Sequence, residues 1–495
     1  MKYSRLILIL GTCLALLMAV SSGWAKKDKD VPPPSDGGGG DSSEGFDNDG
    51  YYFWKLGHMD GPHDASMALG ISRDGKVAVG ATDVVDFYRA WRMDVDWVIS
   101  TEEYPPLYNE LQVQEDIGVV APSQPSAAYA ASNMTCDSYT YDISDKENRT
   151  LDWCGSFPVG TLTIGKVSYG IEWLDPALDG PIEGDEFTDG TDYWTLPDFG
   201  GGLSDMKVTD ASADGLILVG TGNTKTGPVA FRTDTTVLDE EEGVPMLVQL
   251  TIQDSVTLQT LRYSSAQAVS ADGSIIAGFG GTKRGNRAFV TWSEDWNAVE
   301  PVVTGAILPM LGGGKFAEAY DLVVTPEGLI VVAGRSDSPK GPQACIWFQD
   351  TVDDETTWVV KGIGGLSKKS LDSVATGIAH RPDSEVGDFI VVGRSQSILY
   401  DSEALVWTGN AVIDDEVAEE DVVGYLYDLE YILIKTGAAA ASAMGSDWIL
   451  SEATGISVND LETRIVGYGV NPEGGLEAWL VTGFPYDLLD LTYEE

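Results

Sequence analysis

Histidine is almost missing from this 495-residue chain: His58, His63 and His380 are all there is, and none sits with cysteine or another histidine in a zinc-ligand pattern. His58 and His63 flank a Gly-Pro turn and read as loop residues. Positive charge is scarce as well, with 30 Lys and Arg against 78 Asp and Glu and a net charge of −48. A field of that sign repels nucleic acid and anionic lipid, and it favours a soluble monomer. No G-x-S-x-G elbow is present, which removes the commonest serine-hydrolase signature. Segments such as GTGNTKTG (220–227) lack the closing Gly-Lys-Ser/Thr of a phosphate loop. Apolar runs are short: the longest, Leu6 to Val20, is about 15 residues, below the roughly 20 that cross a bilayer.

That one run has a different reading. Lys2 and Arg5 precede it and Gly23-Trp24-Ala25 follows, so 1–25 reads as a secretory signal peptide cleaved near Ala25. The expected compartment is periplasmic or extracellular, with no membrane insertion. Losing Lys2 and Arg5 takes the net charge from −48 to −50. Cys13 leaves with the signal, and Cys136, Cys154 and Cys345 remain to meet oxidising conditions. Cys136 and Cys154 fall in neighbouring expected strands and are the disulfide candidates. Cys345, within GPQACIW, reads as a small buried hydrophobe.

Residues 26–50 (KKDKDVPPPSDGGGGDSSEGFDNDG) offer almost nothing to bury and read as a flexible linker. The DNDG at its end lacks the later ligands of a calcium loop and reads as a turn. From Tyr51 the chain repeats itself. A pattern A-x-x-[IVA]-[ST]-x-[DE]-G-x-[IV]-[IV]-x-G, then a short loop and A-[FWLC]-x-[WT], recurs around Gly80, Gly220, Gly278, Gly334, Gly393 and Gly467, with a degraded copy at Gly155. The clearest pair is 210–234 beside 267–292.

Each copy encodes short strands rather than helices. In one copy, Ala266 to Ser270 leads into an Asp272-Gly273 turn whose Asp-Gly suits a tight hairpin. Ser274 to Ala277 is nearly all apolar, Gly278 ends it, and Arg287 to Trp292 forms a third strand. A fourth follows near Leu308 to Leu311. Four antiparallel strands per repeat describe a propeller blade. The third-strand positions Trp91, Phe231, Phe289, Cys345, Leu405 and Trp479 form the expected packing layer between blades. In the degraded copy, 130–132, 152–156 and 169–173 are the expected strands.

The expected fold is therefore all-β: a single closed β-propeller over 51–484 with seven four-stranded blades, six or eight being the alternative counts. Residues 485–495 form an acidic tail. The last repeat supplies only three strands, and Tyr51 to Gly57 precedes the first repeat as an orphan. Pairing the two closes the ring and removes exposed strand edges.

The copies resemble the HAF repeats of bacterial extracellular proteins, which also occur in autotransporter passenger regions. Ala288-Phe289 and Ala230-Phe231 keep the Ala-Phe of that signature, with Arg287 and Val229 where the family has His. The stretch from Asp447 to Gly469 is similar to the family's terminal repeat. The resemblance covers nearly all of 51–484 and implies a secreted β-propeller without a particular activity, so it brings no functional residues.

The expected role is a binding or surface-interaction module, with carbohydrate or a cell-surface protein as partner and no catalytic residues, resident metal or cofactor beyond an optional calcium. The longest insertions, 93–126 after the first blade and 136–154 around the second, carry Trp97, Tyr104, Tyr108 and Tyr139, whose rings suit stacking on sugars. The alternative is a glycan-processing enzyme, hydrolase or lyase, on the same scaffold. Sialidase propellers carry S-x-D-x-G-x-x-W hairpins, and Ser270-Ala271-Asp272-Gly273 and Ser72-Arg73-Asp74-Gly75 approach this, but Asp and Gly are adjacent and the Trp is missing.

Overall fold

The computed structural model describes residues 52–483, apart from connecting segments 58–64, 85–86, 96–114, 117–125, 134–157, 165–166, 174–192, 196–204, 239–244, 254–259, 284, 294–295, 297–302, 313, 353–354, 368–371, 382–387, 398–399, 401, 411–423, 437–443, 445–447 and 460–461. The signal, the linker, the acidic tail and the cysteine pair lie outside the described residues.

Seven four-stranded antiparallel sheets follow one another in a ring. The chain enters with β1 (Tyr52–Gly57). Blade one is β2 (Ser66–Ile71), β3 (Val77–Val84), β4 (Phe87–Asp94) and β5 (Glu115–Asp116). Blade two is β6 (Ser126–Ala131), β7 (Pro158–Ile164), β8 (Val167–Trp173) and β9 (Tyr193–Thr195). Blade three is β10 (Lys207–Ala211), β11 (Ile217–Thr224), β12 (Gly227–Leu238) and β13 (Pro245–Gln249). Blade four is β14 (Ser264–Val269), β15 (Ile275–Thr282), β16 (Gly285–Ser293) and β17 (Val303–Ile307). Blade five is β18 (Ala317–Val324), β19 (Ile330–Ser338), β20 (Gly341–Val352) and β21 (Glu355–Gly364). Blade six is β22 (Ser373–His380), β23 (Asp388–Ser395), β24 (Glu403–Asn410) and β25 (Gly424–Asp428). Blade seven is β26 (Ile449–Val458), β27 (Thr463–Val470) and β28 (Leu476–Thr482), completed by β1.

The closure expected from the sequence is present: β1 pairs antiparallel with β28, Tyr52 opposite Thr482 and Lys55 opposite Trp479. Phe53, Trp54 and Leu56 are buried in that sheet. The first strands β2, β6, β10, β14, β18, β22 and β26 each touch the next and surround the axis. Because neighbouring strands are antiparallel, connections alternate between the two ends of the ring. First-to-second and third-to-fourth connections leave at one end, called here the turn end. Second-to-third hairpins and blade-to-blade links leave at the other, the hairpin end.

The repeat has a residue-level cause. Every first strand carries a bulge, where the register skips Leu69, Tyr129, Thr209, Gln267, Tyr320, Thr376 and Thr454. The bulge presses a carbonyl onto the second strand, and a Cβ on Gly80, Gly160, Gly220, Gly278, Gly334, Gly393 or Gly467 would collide with it. On its other side each of these glycines, Gly160 aside, pairs with the expected packing residue, Gly80 with Trp91 and Gly467 with Trp479 among them. The packing layer is as expected, since Trp91, Phe231, Phe289, Cys345, Leu405 and Trp479 are all fully buried. In the S-x-D-G turns only glycine takes positive φ: 75° at Gly75 and Gly215, 72° at Gly273. The serine holds the aspartate, with Ser72 Oγ donating to Asp74 Oδ1 at 2.6 Å.

Several boundaries differ from the sequence reading. Gly278 does not end its strand: β15 continues to Thr282, because a glycine allows close packing without breaking the ladder. The fourth strand of blade four is Val303–Ile307, and Leu308 is a buried residue following it. In blade two the marker is Gly160, opposite Ala128 and Ile171, rather than Gly155. The second strand is Pro158–Ile164 and the first begins at Ser126, because the whole insertion separates them. The longest insertion of blade one lies within the blade, between β4 and β5. A helix, α1 (Leu429–Thr436), links blades six and seven where no helix was expected. Its signal is Asp428, whose Oδ1 accepts from the Glu430 amide at 2.9 Å as an N-cap.

Candidate functional site

At the turn end of the axis three charges meet. Arg73 lies in the first turn of blade one, yet its guanidinium reaches Asp210 of blade three, Nη2 to Oδ2 at 3.2 Å, and also donates to the Val269 carbonyl of blade four. A side chain that skips blade two to reach blades three and four crosses the interior of the ring. Asp210 Oδ2 also accepts from the Val269 amide at 2.9 Å, and Oδ1 from the Ala211 amide at 2.8 Å. Asp321 of blade five accepts from Leu322 at 2.7 Å and from Ile378 of blade six at 2.8 Å.

Two part-buried carboxylates that share one guanidinium cannot both be comfortably charged. Burial raises the Asp210 pKa, against the pull of Arg73 and of its two amide donors. Burial likewise pushes Asp321 up to about 7; Arg73 opposes this, and the neighbouring Asp210 charge adds to it. Both aspartates occupy the position just after the bulge, where the other blades have Gly70, Ala130, Ala268, Gly377 and Gly455. Thr209, Thr376 and Thr454 at the bulges make a second clasp, donating to Ala266, Ala453 and Ala68 of the next blade at 3.0, 2.6 and 2.9 Å. The sequence reading missed the aspartates; a comparison of the copies at that one position finds them.

The long insertions leave the sheets at this same end. Segments 96–114 and 174–192 lie between third and fourth strands, and 134–157 between a first and a second strand. Trp97, Tyr104 and Tyr108 fall in the first of these, and Cys136, Tyr139 and Cys154 in the last. All six lie outside the described residues, so the structure brings none of them together. The strands do show that their segments start and finish at one end of the ring.

The hairpin end holds buried ion pairs. Glu318 is 8% exposed and accepts from Arg335, Tyr320 and Asn286, which together hold its carboxyl below the usual range despite burial. Burial raises Glu403 and Glu430 of the blade-six region to about 7, with Asp428 adding to both. Among the described residues no group of three or more His, Cys, Asp or Glu is arranged to hold a metal ion. His380 packs its ring 5.4 Å from Phe389, and burial lowers its pKa against the pull of Glu327 and Asp388. Cys345 is a buried free thiol, raised in pKa by that burial, as core packing requires. Among the described residues no helix is long and apolar enough to cross a membrane.

No protein-family model matches the chain, and no curated protein matches it. Solved structures similar to it include a protein of unknown function from Dyadobacter fermentans, 12% identical, covering 88% of this chain and 99% of that one with a TM-score of 0.38. A putative TolB from Agrobacterium tumefaciens is 14% identical over 66% of this chain and 86% of its own, with a TM-score of 0.30. A Trypanosoma rangeli sialidase in complex with the inhibitor DANA is 10% identical over 75% of this chain and 61% of its own, with a TM-score of 0.34.

Proposed function

We propose that the protein is an exported binding module of the HAF-repeat kind, holding a carbohydrate or a cell-surface protein on the turn end of its propeller and carrying out no reaction. The observation that supports this best is the common end from which 96–114, 134–157 and 174–192 leave the sheets. Connections on a closed β ring vary without cost to the core and so carry recognition. Here they bring the aromatic residues Trp97, Tyr104, Tyr108 and Tyr139, surrounded by Asp and Glu that suit calcium or a cationic group. The sharp test is a glycan array on the chain from residue 26, with and without calcium, repeated after replacing 97–112, which leaves β5 in place, by a short Gly-Ser linker. The variant should keep the fold and lose the ligand. Undiminished binding by the variant would contradict the proposal.

One observation favours the glycan-processing alternative: burial pushes Asp321, near Asp210 and Arg73, up to about 7, in the range a general acid needs. Against it, both oxygens of each aspartate accept main-chain N–H groups, two of them from the following blade, as structural clasps do. Turnover of a glycoside that disappears in Asp321→Asn, with the fold kept, would establish the enzymatic reading.

A further inference from the structure

The two ends of the ring differ in charge far more than the overall acidity suggests. In blades two to five, connections at the turn end carry 24 Asp and Glu against 2 Lys and Arg. The hairpin-end connections from Lys166 to Asp372 carry 9 Lys and Arg against 4 Asp. A chain short of cations has gathered a large share of them on one arc.

The arc is built three times with the same part. In blades three, four and five the second-to-third hairpins read Thr224-Lys225-Thr226-Gly227, Thr282-Lys283-Arg284-Gly285 and Ser338-Pro339-Lys340-Gly341. In each, the first hydroxyl donates to the closing glycine's carbonyl, at 2.7, 2.8 and 2.8 Å. The glycines share φ of 131°, 131° and 115°, so the three tips close in the same way. Lys225, Lys283 and Lys340 are exposed, and none makes an ion pair with another described residue. Neighbouring blades are stitched at this level. Arg287 donates to the Lys315 carbonyl at 2.7 Å, and the Lys315 amide donates to Asp337 Oδ2 at 2.8 Å, tying the blade-four hairpin to blade five.

We propose that the hairpin end of blades three to five is a docking surface for an anionic polysaccharide, a chain bearing carboxylate or sulfate groups at regular intervals. Three tips of one form each carry a lysine, at the second position in blades three and four and at the third in blade five. Along an arc they match a polymer with repeating charge, and hydroxyls such as Thr226 beside the lysine suit sugar hydroxyls. The surface is poorly suited to single-stranded nucleic acid, which needs aromatic stacking platforms that these tips lack. It is equally unsuited to a lipid surface, which needs apolar side chains to insert. The large exposed apolar residues among those described, Tyr425, Tyr431 and Ile434, belong to β25 of blade six and to α1 of the link from blade six to blade seven, not to the three hairpins. This surface is at the opposite end from the ligand site proposed above, so either can fail alone.

The test is binding of the chain from residue 26 to immobilised polygalacturonate, with neutral dextran, poly(U) and phosphatidylglycerol vesicles as comparison probes. Polygalacturonate should bind best, more weakly by about tenfold when sodium chloride rises from about 0.05 to 0.3 M, because salt screens exposed charge. The triple variant Lys225→Glu, Lys283→Glu, Lys340→Glu should lose at least about tenfold in affinity, with Lys→Gln at the same positions intermediate. The 97–112 replacement should bind polygalacturonate as the parent does. Absence of binding, equal binding to dextran, undiminished binding by the triple variant, or tighter binding to poly(U) or the vesicles would each overturn the proposal.

Discussion

Gly220 shows what one residue does in this fold. Its backbone is pinned between the Lys207 carbonyl and Phe231, whose Cζ would stand 2.8 Å from an added Cβ. Gly220→Ala must push the bulge of β10 away from β11, and overpacking of this kind costs about 1–3 kcal/mol. Gly312→Ala is the control, since nothing lies within 4 Å of its would-be Cβ, and it should stay within about 0.5 kcal/mol. Urea melts of both variants check the difference; equal stabilities would remove the steric account of the repeat glycines. Asp321 supplies a pH prediction. Its ordinary value is 3.8 and its folded value about 7, so the folded chain keeps a proton that the unfolded chain has released. The stabilisation is complete below about pH 4 and is lost as pH rises through 7, with Glu403 and Glu430 acting in the same direction. Asp321→Asn cannot ionise but sacrifices one amide-accepting oxygen. Between pH 5.5 and 8.5 its melting temperature should start below the parent's, gain on it until pH passes about 7, and then level off. A constant difference between the two proteins across that range would contradict the assignment.

At the scale of elements, β1 is the strand that makes a chain into a ring. Deleting 51–57 exposes the edge of β28 and the surfaces covering Phe53, Trp54 and Leu56, and should cost about 5 kcal/mol at the usual value of buried large side chains. Denaturant unfolding of the deleted chain measures this; stability within about 1 kcal/mol of the parent would mean that β1 is not part of the core. A disulfide between Cys136 and Cys154 is the expectation from the sequence, and by closing a loop of about 18 residues it should contribute roughly 3 kcal/mol in the chain-entropy model. Mass spectrometry showing both thiols alkylated without reduction would dismiss it. The closure was legible because YYFWKLG is an unpaired apolar strand ahead of a repeat and the last repeat is one strand short. Blade two was legible only in number. Its marker glycine follows a 26-residue insertion, 132–157, so spacing pointed to Gly155, whereas FPVGTLTI at 157–164 carries the true second strand. Of the axial trio only the aspartates were legible, as departures from Gly and Ala after the bulge; their partner was not, because ring closure alone brings Arg73 past blade two.

The whole molecule sets a large net negative charge on a closed ring, with the turn end far more acidic than the hairpin end. Self-repulsion among surface carboxylates should limit stability at low ionic strength, and about 1 M sodium chloride shortens the screening length to roughly 3 Å. The melting temperature should therefore rise with salt; a flat or falling trend would show that repulsion is not what limits this fold. The ring itself is the claim on which both surface proposals rest, since only closure sorts the connections into two ends. Amide hydrogen exchange on the intact chain tests it most directly. Phe53 to Lys55 should be protected to the same degree as Trp479 to Val481, their partners at the far end of the sequence, and the two segments should exchange together. Rapid exchange at 53–55 beside a protected 479–481 would mean that the ring is open.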